Sequence, residues 1–365
     1  MSFDKADGAI WLNFDVRPAA NPTPDKERAA KLVDLGFGRI FTDHMAIVQY
    51  SQGKGWHSAR VESRASFPLD PATAVLHYAQ EIFEGLKAYK RDDGGVNLFR
   101  PDANAKRFWN SAERMAMATL PEPIFIEAVE QLVRIDREWI PGGDGSLYLR
   151  PFMIANEVFL GVKPSAEYIF AVIASPVGSY FKGGPAPVSI WVSENYTRAA
   201  VGGTGAVKCG GNYAASLRAQ AEAIEHGCDQ VVFLDAIERR YVEELGGMNI
   251  FFVFDDGSLI TPPLGTILPG ITRELDHRAG AGIRHERARR GLHHRPVARG
   301  CRQRQAERGV RLRHRRGDFA DRQGVFGQRR FRDQRRRGRP GRDGPAQDAR
   351  RYPVRPRRRH AQLGS

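Results

Sequence analysis

The chain changes composition near residue 274, and this change limits what the whole sequence can fold into. The last 92 of the 365 residues contain 29 Arg, no Lys and nine Asp or Glu, which gives a net charge of +20. Only 12 of these 92 residues are Leu, Ile, Val or Phe. So few large apolar side chains do not form a packed core. We therefore expect residues 274–365 not to fold as written.

Residues 1–273 carry a net charge of −6 and mix helical with strand patterns throughout. HMAIVQYS and DQVVFLD have the composition of strands, whereas RPDANAKRFWNSAERM and NYAASLRAQAEAIEHG have that of helices. This mixture predicts an α/β or α+β fold with two domains. The predicted divisions are a polar, proline-dotted arm over 1–30, a small domain over 31–178, and the first part of a larger domain over 179–273.

The sequence argues against three classes of protein. It has no run of 18 apolar residues for a membrane span, and its start lacks the basic and apolar regions of a secretory signal. The three cysteines, Cys209, Cys228 and Cys301, are too few and too scattered for a disulfide framework or a zinc site. We therefore expect a cytoplasmic protein with no membrane association and no bound metal.

A lysine among glycines marks the candidate reactive group. Residues 202–216, GGTGAVKCGGNYAAS, contain five glycines, and Lys208 is their only charged residue. Glycines let a ligand approach the backbone, and a lysine in apolar surroundings loses its proton easily and attacks carbonyl carbons. The pattern predicts a Schiff-base lysine, with a structural lysine in a glycine-rich turn as the alternative.

The order of seven segments resembles the branched-chain amino acid aminotransferases, in the fold-type IV group of pyridoxal-phosphate enzymes. The segments are YAQEIFEGLKAY, LFRPDANAKRFWNSAERM, LYLRPFM, SPVGSYFKGG, GGTGAVKCGGNYAAS, YVEELGGMNIFF and LPGITR. The resemblance implies an α+β small domain, a larger α/β domain, pyridoxal 5′-phosphate as cofactor and a homodimer. It also implies transfer of the amino group of Leu, Ile or Val to 2-oxoglutarate, with no specific nucleic-acid partner.

By the same resemblance, three residues act on the reactive part of the cofactor. Lys208 forms the Schiff base and moves the proton between substrate and cofactor. Tyr213 binds the phenolic oxygen, although a tyrosine at a helix start more often serves packing. Glu244 keeps the ring nitrogen protonated. Since adjacent side chains of a strand face opposite ways, Glu243 should then point away.

The phosphate of the cofactor needs a cation and N–H donors. The resemblance assigns the cation to Arg107 and the donors to Ile271 and Thr272 of the GITR segment, at a helix N-terminus. The plainer interpretation of Arg107 is a solvated side chain on an exposed helix face.

The resemblance assigns five further residues to the substrate pocket. Phe83, Tyr148, Arg150 and Tyr180 come from the same chain, and Tyr78 reaches in from the other subunit of the dimer. An apolar chamber with Arg150 and tyrosine hydroxyls at its rim would accept both branched aliphatic side chains and glutamate. Core packing is the alternative for aromatic residues in strands.

Two alternatives stay open on the sequence. A different enzyme of the same fold, such as a D-amino acid aminotransferase or an aminodeoxychorismate lyase, would also carry the lysine. In a second class, residues 274–365 would be an RNA-binding arm fused to the enzyme, because arginine-rich segments can bind RNA. The few aromatics, the lack of a recognisable module and the lack of a Gly-Ser linker count against this arm.

A shifted reading frame explains the tail. The resemblance implies that the family continues past Arg273 with a segment resembling EVFACGTAA, whose threonine completes the phosphate site and whose backbone N–H groups hold the substrate carboxylate. The tail lacks this segment. Synonymous codons chosen for residues 306–319, AERGVRLRHRRGDF, encode LSEVFACGTAAAT when read one base later. RPGRDGPAQDARRYPVR and RRRHAQLGS likewise encode GPVVMALRRTRVGIQF and AADTHNWV, which are similar to the C-terminal pattern of the family. The sequence therefore predicts a frameshift near codon 274 and an inactive chain as written.

Overall fold

The computed structural model of the chain describes residues 11–178, 187–253, 259–274 and 311–313. Its helices are α1 (Asp25–Lys31), α2 (Ala74–Tyr78), α3 (Pro101–Arg114), α4 (Glu122–Ile135) and α5 (Gly210–Glu225), with a 3₁₀ turn over Arg137–Trp139. No helix in these ranges is long and apolar enough to cross a bilayer. In the same ranges, no group of three or more His, Cys, Asp or Glu side chains is placed to hold a metal ion.

An eight-stranded sheet organises the first region, residues 11–178. Its order is β1–β3–β2–β8–β7–β5–β6, and β4 also pairs with β7. The strands are β1 (Asp15–Val16), β2 (His44–Ser51), β3 (Gly55–Ser63), β4 (Glu81–Phe83), β5 (Leu86–Lys90), β6 (Val96–Leu98), β7 (Ser146–Ala155) and β8 (Glu167–Val177). Every pairing is antiparallel except that of β1 with β3. Such a sheet is typical of an α+β domain.

Helices α3 and α4 close the core of this first region. The apolar residues of α4 recur at helical spacing, so that Ile124 and Leu132 are buried on one side. Phe108 of α3, Phe125 of α4 and Phe170 of β8 meet with ring centroids 5.4, 5.4 and 5.9 Å apart. Full burial of one such ring contributes about 1.5–3 kcal/mol. The first region therefore has a substantial core of its own.

The second region, residues 187–274, carries smaller sheets. Strands β9 (Ile190–Ser193), β10 (Gln230–Leu234) and β11 (Val242–Leu245) form one sheet in the order β11–β10–β9, with β9 and β10 parallel. Helix α5 connects these parallel strands and packs Ala219 and Ala223 against Trp191 and Phe233. Strands β12 (Phe251–Val253), β13 (Leu259–Ile260) and β14 (Arg311–Arg313) form an antiparallel sheet. The parallel crossover agrees with the α/β character predicted for the larger domain.

The described part of the predicted arm is attached to the first region. Leu12 and Phe14 pack on its core, and β1 pairs with β3. The Thr23 hydroxyl and N–H donate to Asp43 Oδ1 at 2.6 and 3.2 Å, and Trp139 Nε1 donates to Asp43 Oδ2 at 2.9 Å. These bonds hold the segment before α1 against the start of β2.

Two predicted boundaries lie at or beyond the edges of the described ranges. The first sheet ends at Val177 and the second begins at Ile190, on either side of the predicted junction. The division into domains stays a prediction. Apart from Glu274 and β14, residues 274–365 lie outside the described ranges, so the expectation that they do not fold as written also stays a prediction.

Candidate active site

A cavity of about 470 Å³ lies where the two regions meet. It is lined by nine of the eleven residues expected to bind cofactor or substrate: Phe83, Arg107, Tyr148, Arg150, Lys208, Tyr213, Glu244, Ile271 and Thr272. Concave sites of this size commonly hold cofactors and small substrates. Of the other two, Tyr78 lies on the surface and Tyr180 lies outside the described residues.

The lysine loop, residues 202–209, directs Lys208 into the cavity by burying the residues on either side of it. Val207 and Cys209 are 3% and 2% exposed and join the core of the first region. The Lys208 carbonyl accepts the Phe83 N–H at 2.9 Å. Asn212 Nδ2 donates to the Val207 carbonyl at 2.8 Å. Because alternate side chains of an extended segment face opposite ways, Lys208 faces away from that core.

The lysine amine has an aromatic face and a hydroxyl as neighbours. Lys208 Nζ lies 2.9 Å from Tyr213 Oη and 4.8 Å from the centre of the Phe83 ring. Tyr213 stands in the first turn of α5 and packs on Phe83 with ring centroids 5.1 Å apart. The helix thus fixes the hydroxyl relative to the lysine. The phenolic oxygen can accept a hydrogen bond from the charged amine, and the phenolic O–H can donate one to the neutral amine. Lys208 can therefore keep this partner when it loses its proton to become a nucleophile.

Glu244 on β11 is a buried carboxylate at the cavity. It is 1% exposed, and its Oε1 accepts Asn249 Nδ2 at 2.5 Å. Burial raises the pKa of Glu244 to about 6, although the nearby Arg198 charge favours the ionised form. The adjacent Glu243 instead accepts the Thr266 hydroxyl at 2.6 Å. Of the two glutamates, Glu244 is therefore the one that lines the cavity, as the sequence predicts.

Arg107 on α3 lines the cavity, and a buried carboxylate holds it from the protein side. Its Nε and Nη2 donate to the two oxygens of Glu84 at 2.7 and 2.8 Å, and Glu84 is fully buried. Asn104 Nδ2 donates to Glu84 Oε2 at 2.7 Å. Burial opposes ionisation of Glu84, but the Arg107 charge and these hydrogen bonds outweigh it and lower the pKa of Glu84. Arg107 Nη1 donates to the Pro269 carbonyl at 3.1 Å, so three of its five N–H groups are engaged.

The GITR segment begins a helical turn beside Arg107. Residues 271–274 are helical, and the Glu274 N–H donates to the Gly270 carbonyl at 2.9 Å. The first N–H groups of a helix have no partner within it, so those of Ile271 and Thr272 can bind an anion. A Cβ at Gly270 would overlap the Asn249 side-chain oxygen, which explains the glycine at this close approach.

Tyr148 and Arg150 on β7 place a cation beside an aromatic wall. Arg150 Nε and Nη2 donate to Tyr148 Oη at 3.2 and 3.0 Å. The guanidinium carbon lies 4.6 Å from the centre of the Phe83 ring. Phe37, which precedes the first sheet's central strands, packs on Tyr148 with ring centroids 5.0 Å apart. This side of the cavity can therefore contact both apolar groups and a carboxylate.

The comparison with known proteins agrees with this geometry. Residues 81–286, more than half of the chain, match the family "Amino-transferase class IV". The branched-chain-amino-acid aminotransferase of Mycobacterium tuberculosis (strain ATCC 25618 / H37Rv) is 57% identical over 269 residues, which cover 72% of this chain and 73% of that protein. The chain belongs to the branched-chain-amino-acid aminotransferase family.

Further relatives of the branched-chain aminotransferase family support the same assignment. Branched-chain-amino-acid transaminase 1 of Bacillus subtilis (strain 168) is 52% identical over 260 residues, covering 69% of this chain and 73% of that protein. A crystal structure of the T.th. branched-chain amino acid aminotransferase with pyridoxamine 5′-phosphate is 30% identical with a TM-score of 0.51, covering 64% of this chain and 73% of that one. The predicted fold-type IV class is thereby confirmed. The two other enzymes of this fold are not favoured.

The family match also bears on the predicted change of frame. The sequence predicts a frameshift near codon 274, whereas the matched range continues to residue 286. The sequence similarity thus extends some way into the arginine-rich segment. The residues beyond Glu274 in this match lie outside the described ranges.

Tyr78 is the predicted site residue that this chain does not bring to its own cavity. It ends α2 on the surface, 39% exposed, and its hydroxyl donates to the Leu160 carbonyl. A residue meant for the cavity of a second aminotransferase subunit would lie outside the cavity of its own chain. The contribution of Tyr78 to a partner stays a prediction.

Several residues of this aminotransferase site were missed by the sequence reasoning: Phe37, Glu84, Asn104, Arg198 and Asn249. Asn104 had a detectable signal, because it lies three positions before Arg107 and so shares its helix face. Arg198 and Asn249 lie in irregular segments, where no periodic pattern points to a neighbour.

Proposed function

We propose that this chain transfers the amino group of Leu, Ile or Val to 2-oxoglutarate and so forms branched-chain 2-oxo acids and L-glutamate. One observation carries the proposal: Lys208 Nζ lies 2.9 Å from Tyr213 Oη in a cavity that Arg107 and Glu244 also line. The names of relatives that are 57% and 52% identical support the choice of substrates.

Pyridoxal 5′-phosphate suits the groups that line the cavity. When bound, its pyridine ring supplies an electron sink for the negative charge that forms at the substrate Cα. The amine of Lys208 suits its aldehyde carbon, and the buried carboxylate of Glu244 suits its ring nitrogen. The guanidinium of Arg107, with the N–H groups of Ile271 and Thr272, suits its phosphate. The solved T.th. relative with pyridoxamine 5′-phosphate supports this assignment.

Two residues of the chain divide the proton chemistry. The neutral amine of Lys208 removes the proton from the substrate Cα and would deliver it to the former aldehyde carbon of the cofactor. The Tyr213 hydroxyl, at 2.9 Å, holds the amine in place by a hydrogen bond while the amine carries the proton. Glu244 must be ionised to hold a protonated ring nitrogen, and its pKa of about 6 allows this at neutral pH.

Three residues would orient the substrate. Phe83 and Tyr148 form an aromatic wall for an aliphatic side chain. Arg150 lies 4.6 Å from the centre of the Phe83 ring, and its charge can bind the second carboxylate of glutamate. One pocket therefore accepts both partners of the exchange.

We extend the proposal to a homodimer in which Tyr78 lines the partner's pocket. Tyr78 ends α2 and contacts the 158–162 segment. Both elements expose large apolar side chains: Leu76, Val158, Phe159, Leu160 and Val162. Exposed apolar patches mark protein contacts. Val162→Asp, at a position 87% exposed, should leave the fold intact and convert the dimer to monomer in analytical ultracentrifugation. A dimer that persists in V162D and in Leu160→Asp would exclude this surface.

We also keep the expectation of a cytoplasmic location. In the described ranges, Cys209 is buried and forms no disulfide bond, as expected for a reducing compartment. Cell fractionation with an antibody to the native chain tests this, and recovery in a secreted fraction would exclude it.

For the tail, we propose translation out of frame, with the change of frame between Arg273 and Ala306. The match with the M. tuberculosis relative covers 72% of this chain and 73% of that protein. The unmatched parts of the two chains are therefore similar in length, as expected if this chain continues in another reading frame. The missing part would include the threonine and N–H groups that the resemblance assigns to the phosphate and the substrate carboxylate. The chain as written should therefore bind the cofactor poorly and show no transamination.

Two measurements test these proposals. Sequencing of genomic DNA across codons 265–305 should show one base too many or too few. Restoring the frame should give a chain that transaminates L-leucine, while the chain as written does not. Turnover of D-alanine but not L-leucine by the restored chain would favour a D-amino acid aminotransferase. An intact frame, with sequence-selective RNA binding by the full chain, would favour the RNA-binding arm.

A further inference from the structure

A second buried ion pair lies next to the cavity and involves a residue outside every sequence motif. Arg198 precedes the lysine loop and is 6% exposed. Its Nη1 lies 3.1 Å from Glu244 Oε2. The same nitrogen is 3.3 Å from both the Gly205 and the Thr266 carbonyls. Arg198 therefore connects the lysine loop, β11 and the segment that leads to GITR.

The charge of Arg198 depends on Glu244 for compensation. Glu244 lines the cavity and Arg198 does not, so the guanidinium contacts the carboxylate from the protein side. Arg198 Nε is buried without a hydrogen-bond partner in the described part of the chain. Two buried charges are tolerated when each compensates the other, whereas removal of one leaves the other uncompensated. The position of Arg198 thus controls whether a negative charge is stable on Glu244.

We propose that Arg198 is a positioning residue that keeps the Glu244 carboxylate ionised and fixed for the ring nitrogen of the cofactor. This inference rests on the proposed function and deepens it. An ionised carboxylate accepts a hydrogen bond from a protonated ring nitrogen, whereas a neutral acid donates one to an unprotonated nitrogen. A protonated ring accepts electrons more readily.

Other charged groups also face Glu244 and must be counted: Lys208, Glu243, Arg107 and Arg273. Glu243 disfavours the ionised form of Glu244, and Lys208 favours it. These groups stay unchanged when Arg198 alone is substituted. A difference between Arg198 variants therefore reports the Arg198 charge.

The first test needs no cofactor and so does not depend on the proposed function. The free energy of unfolding is measured from pH 4.5 to 9 for four full-length chains. These are the parent, R198Q, E244Q, and the double variant that carries both substitutions. A carboxyl whose folded pKa is raised stabilises the fold below its ordinary pKa of 4.5 and loses that contribution as the pH rises through about 6. The difference between each chain and its E244Q counterpart isolates this contribution.

The contribution of Glu244 is the difference in unfolding free energy between a chain with Glu244 and its E244Q counterpart. In chains that carry R198Q, the pH at which this contribution levels off should rise by roughly one unit or more, because an adjacent opposite charge lowers the pKa of an acid by about that much. Arg198→Lys should return it toward the parent value. Arg218→Gln, which breaks an exposed ion pair with Glu225 on α5, is the matched control and should leave it unchanged. A purely structural role would lower stability equally at every pH, and that result would overturn the proposal.

The second test uses the frame-restored chain loaded with pyridoxal phosphate labelled with ¹⁵N in the ring. The nitrogen should resonate as protonated in the parent and R198K chains, and should move toward the unprotonated position in R198Q. The same resonance in all three would overturn the role of Arg198 toward the cofactor. Failure of the restored chain to bind the cofactor would instead count against the proposed function, with the pH measurement still deciding the ion pair.

Discussion

Each of the two regions of the molecule holds one of its cavity-lining charged groups with a buried counter-ion of its own. In the first region, Glu84 binds Arg107 through two short hydrogen bonds, and both residues belong to regular elements or their ends. In the second region, Arg198 contacts Glu244 through one nitrogen at 3.1 Å, from an irregular segment. Both members of the first pair are thus held by regular elements around a packed core, whereas the second pair joins Glu244 of a strand to Arg198 of an irregular segment.

The difference between the pairs shows that burial alone does not decide the charge of a carboxylate. Glu84 and Glu244 are 0% and 1% exposed, yet the pKa of Glu84 is lowered and that of Glu244 is raised to about 6. Burial opposes ionisation of both. Glu84 receives two bonds from Arg107 and one from Asn104, which outweigh the burial. At Glu244, the Arg198 charge and the bonds from Asn249 and the Leu268 N–H do not outweigh it.

Lys208 joins the two regions, and its removal should have the largest effect. Lys208→Ala in the frame-restored chain should lower the rate of L-leucine transamination by at least about 10²–10⁴-fold, since the amine carries the proton. Unfolding stability should change little, because Val207 and Cys209 stay buried. Coupled-enzyme assay of glutamate checks the rate. Lys31→Ala, an exposed lysine paired with Glu27 on α1, is the control and should keep full activity.

Glu84→Gln would break the fixed pair of the first region. An unpaired buried Arg107 should cost about 3–5 kcal/mol of unfolding free energy, measured by urea titration followed by circular dichroism. The matched control is Glu130→Gln, which breaks the exposed pair with Arg134 on α4 and should cost at most about 0.5 kcal/mol. Equal losses from the two substitutions would show that the buried pair adds nothing to the first region.

Glycines of the second region should respond in opposite directions. A Cβ at Gly205 would overlap the Thr266 carbonyl, so Gly205→Ala should cost about 1–3 kcal/mol through overpacking. Gly211, in the first turn of α5, has no atom within 4 Å of its would-be Cβ, and Gly211→Ala should stabilise the chain by up to about 1 kcal/mol. Thermal unfolding of the two variants measures both. Stabilisation by G205A would contradict the close packing of the lysine loop.

The smallest effect is expected at the arm. Asp43→Asn keeps the shape but weakens the bonds from Thr23 and Trp139, at a cost of about 1 kcal/mol near pH 7. Burial raises the pKa of Asp43, but these bonds outweigh it and lower the pKa from 3.8. The stabilisation is therefore present above pH 3.8 and lost as the pH falls through the lower folded value. Urea titrations of both chains should converge in acid, and a constant difference would exclude a charge effect.

Local patterns predicted much of the fold. The helical patterns of RPDANAKRFWNSAERM and NYAASLRAQAEAIEHG predicted α3 and α5, because periodicity and end signals are local. Nine of the eleven predicted site residues line one cavity, because the residues within each motif are positioned by the same local backbone conformation. Tyr78 could not be tested in one chain because its predicted pocket belongs to another.

The counter-ions could not be predicted in the same way. Glu84 and Arg107 are 23 positions apart and meet because β4 lies beside α3. Arg198 and Glu244 meet only after the lysine loop and the β11 segment have both folded. Such contacts depend on tertiary packing, and the residue types alone are equally consistent with exposed, solvated charges.

The contact between Gly85 and Tyr148 restricts the order in which the substrate pocket can evolve. A Cβ at Gly85 would overlap the phenolic oxygen that Arg150 binds. Alanine at position 85 should therefore be more deleterious while the tyrosine hydroxyl is present than once position 148 is phenylalanine, which removes the overlapping oxygen and leaves ring carbons at 3.0 and 3.2 Å. Mutational paths that broaden the range of substrates should then begin at position 148 and reach position 85 afterwards. This epistasis would make the glycine look invariant within any lineage that keeps the tyrosine.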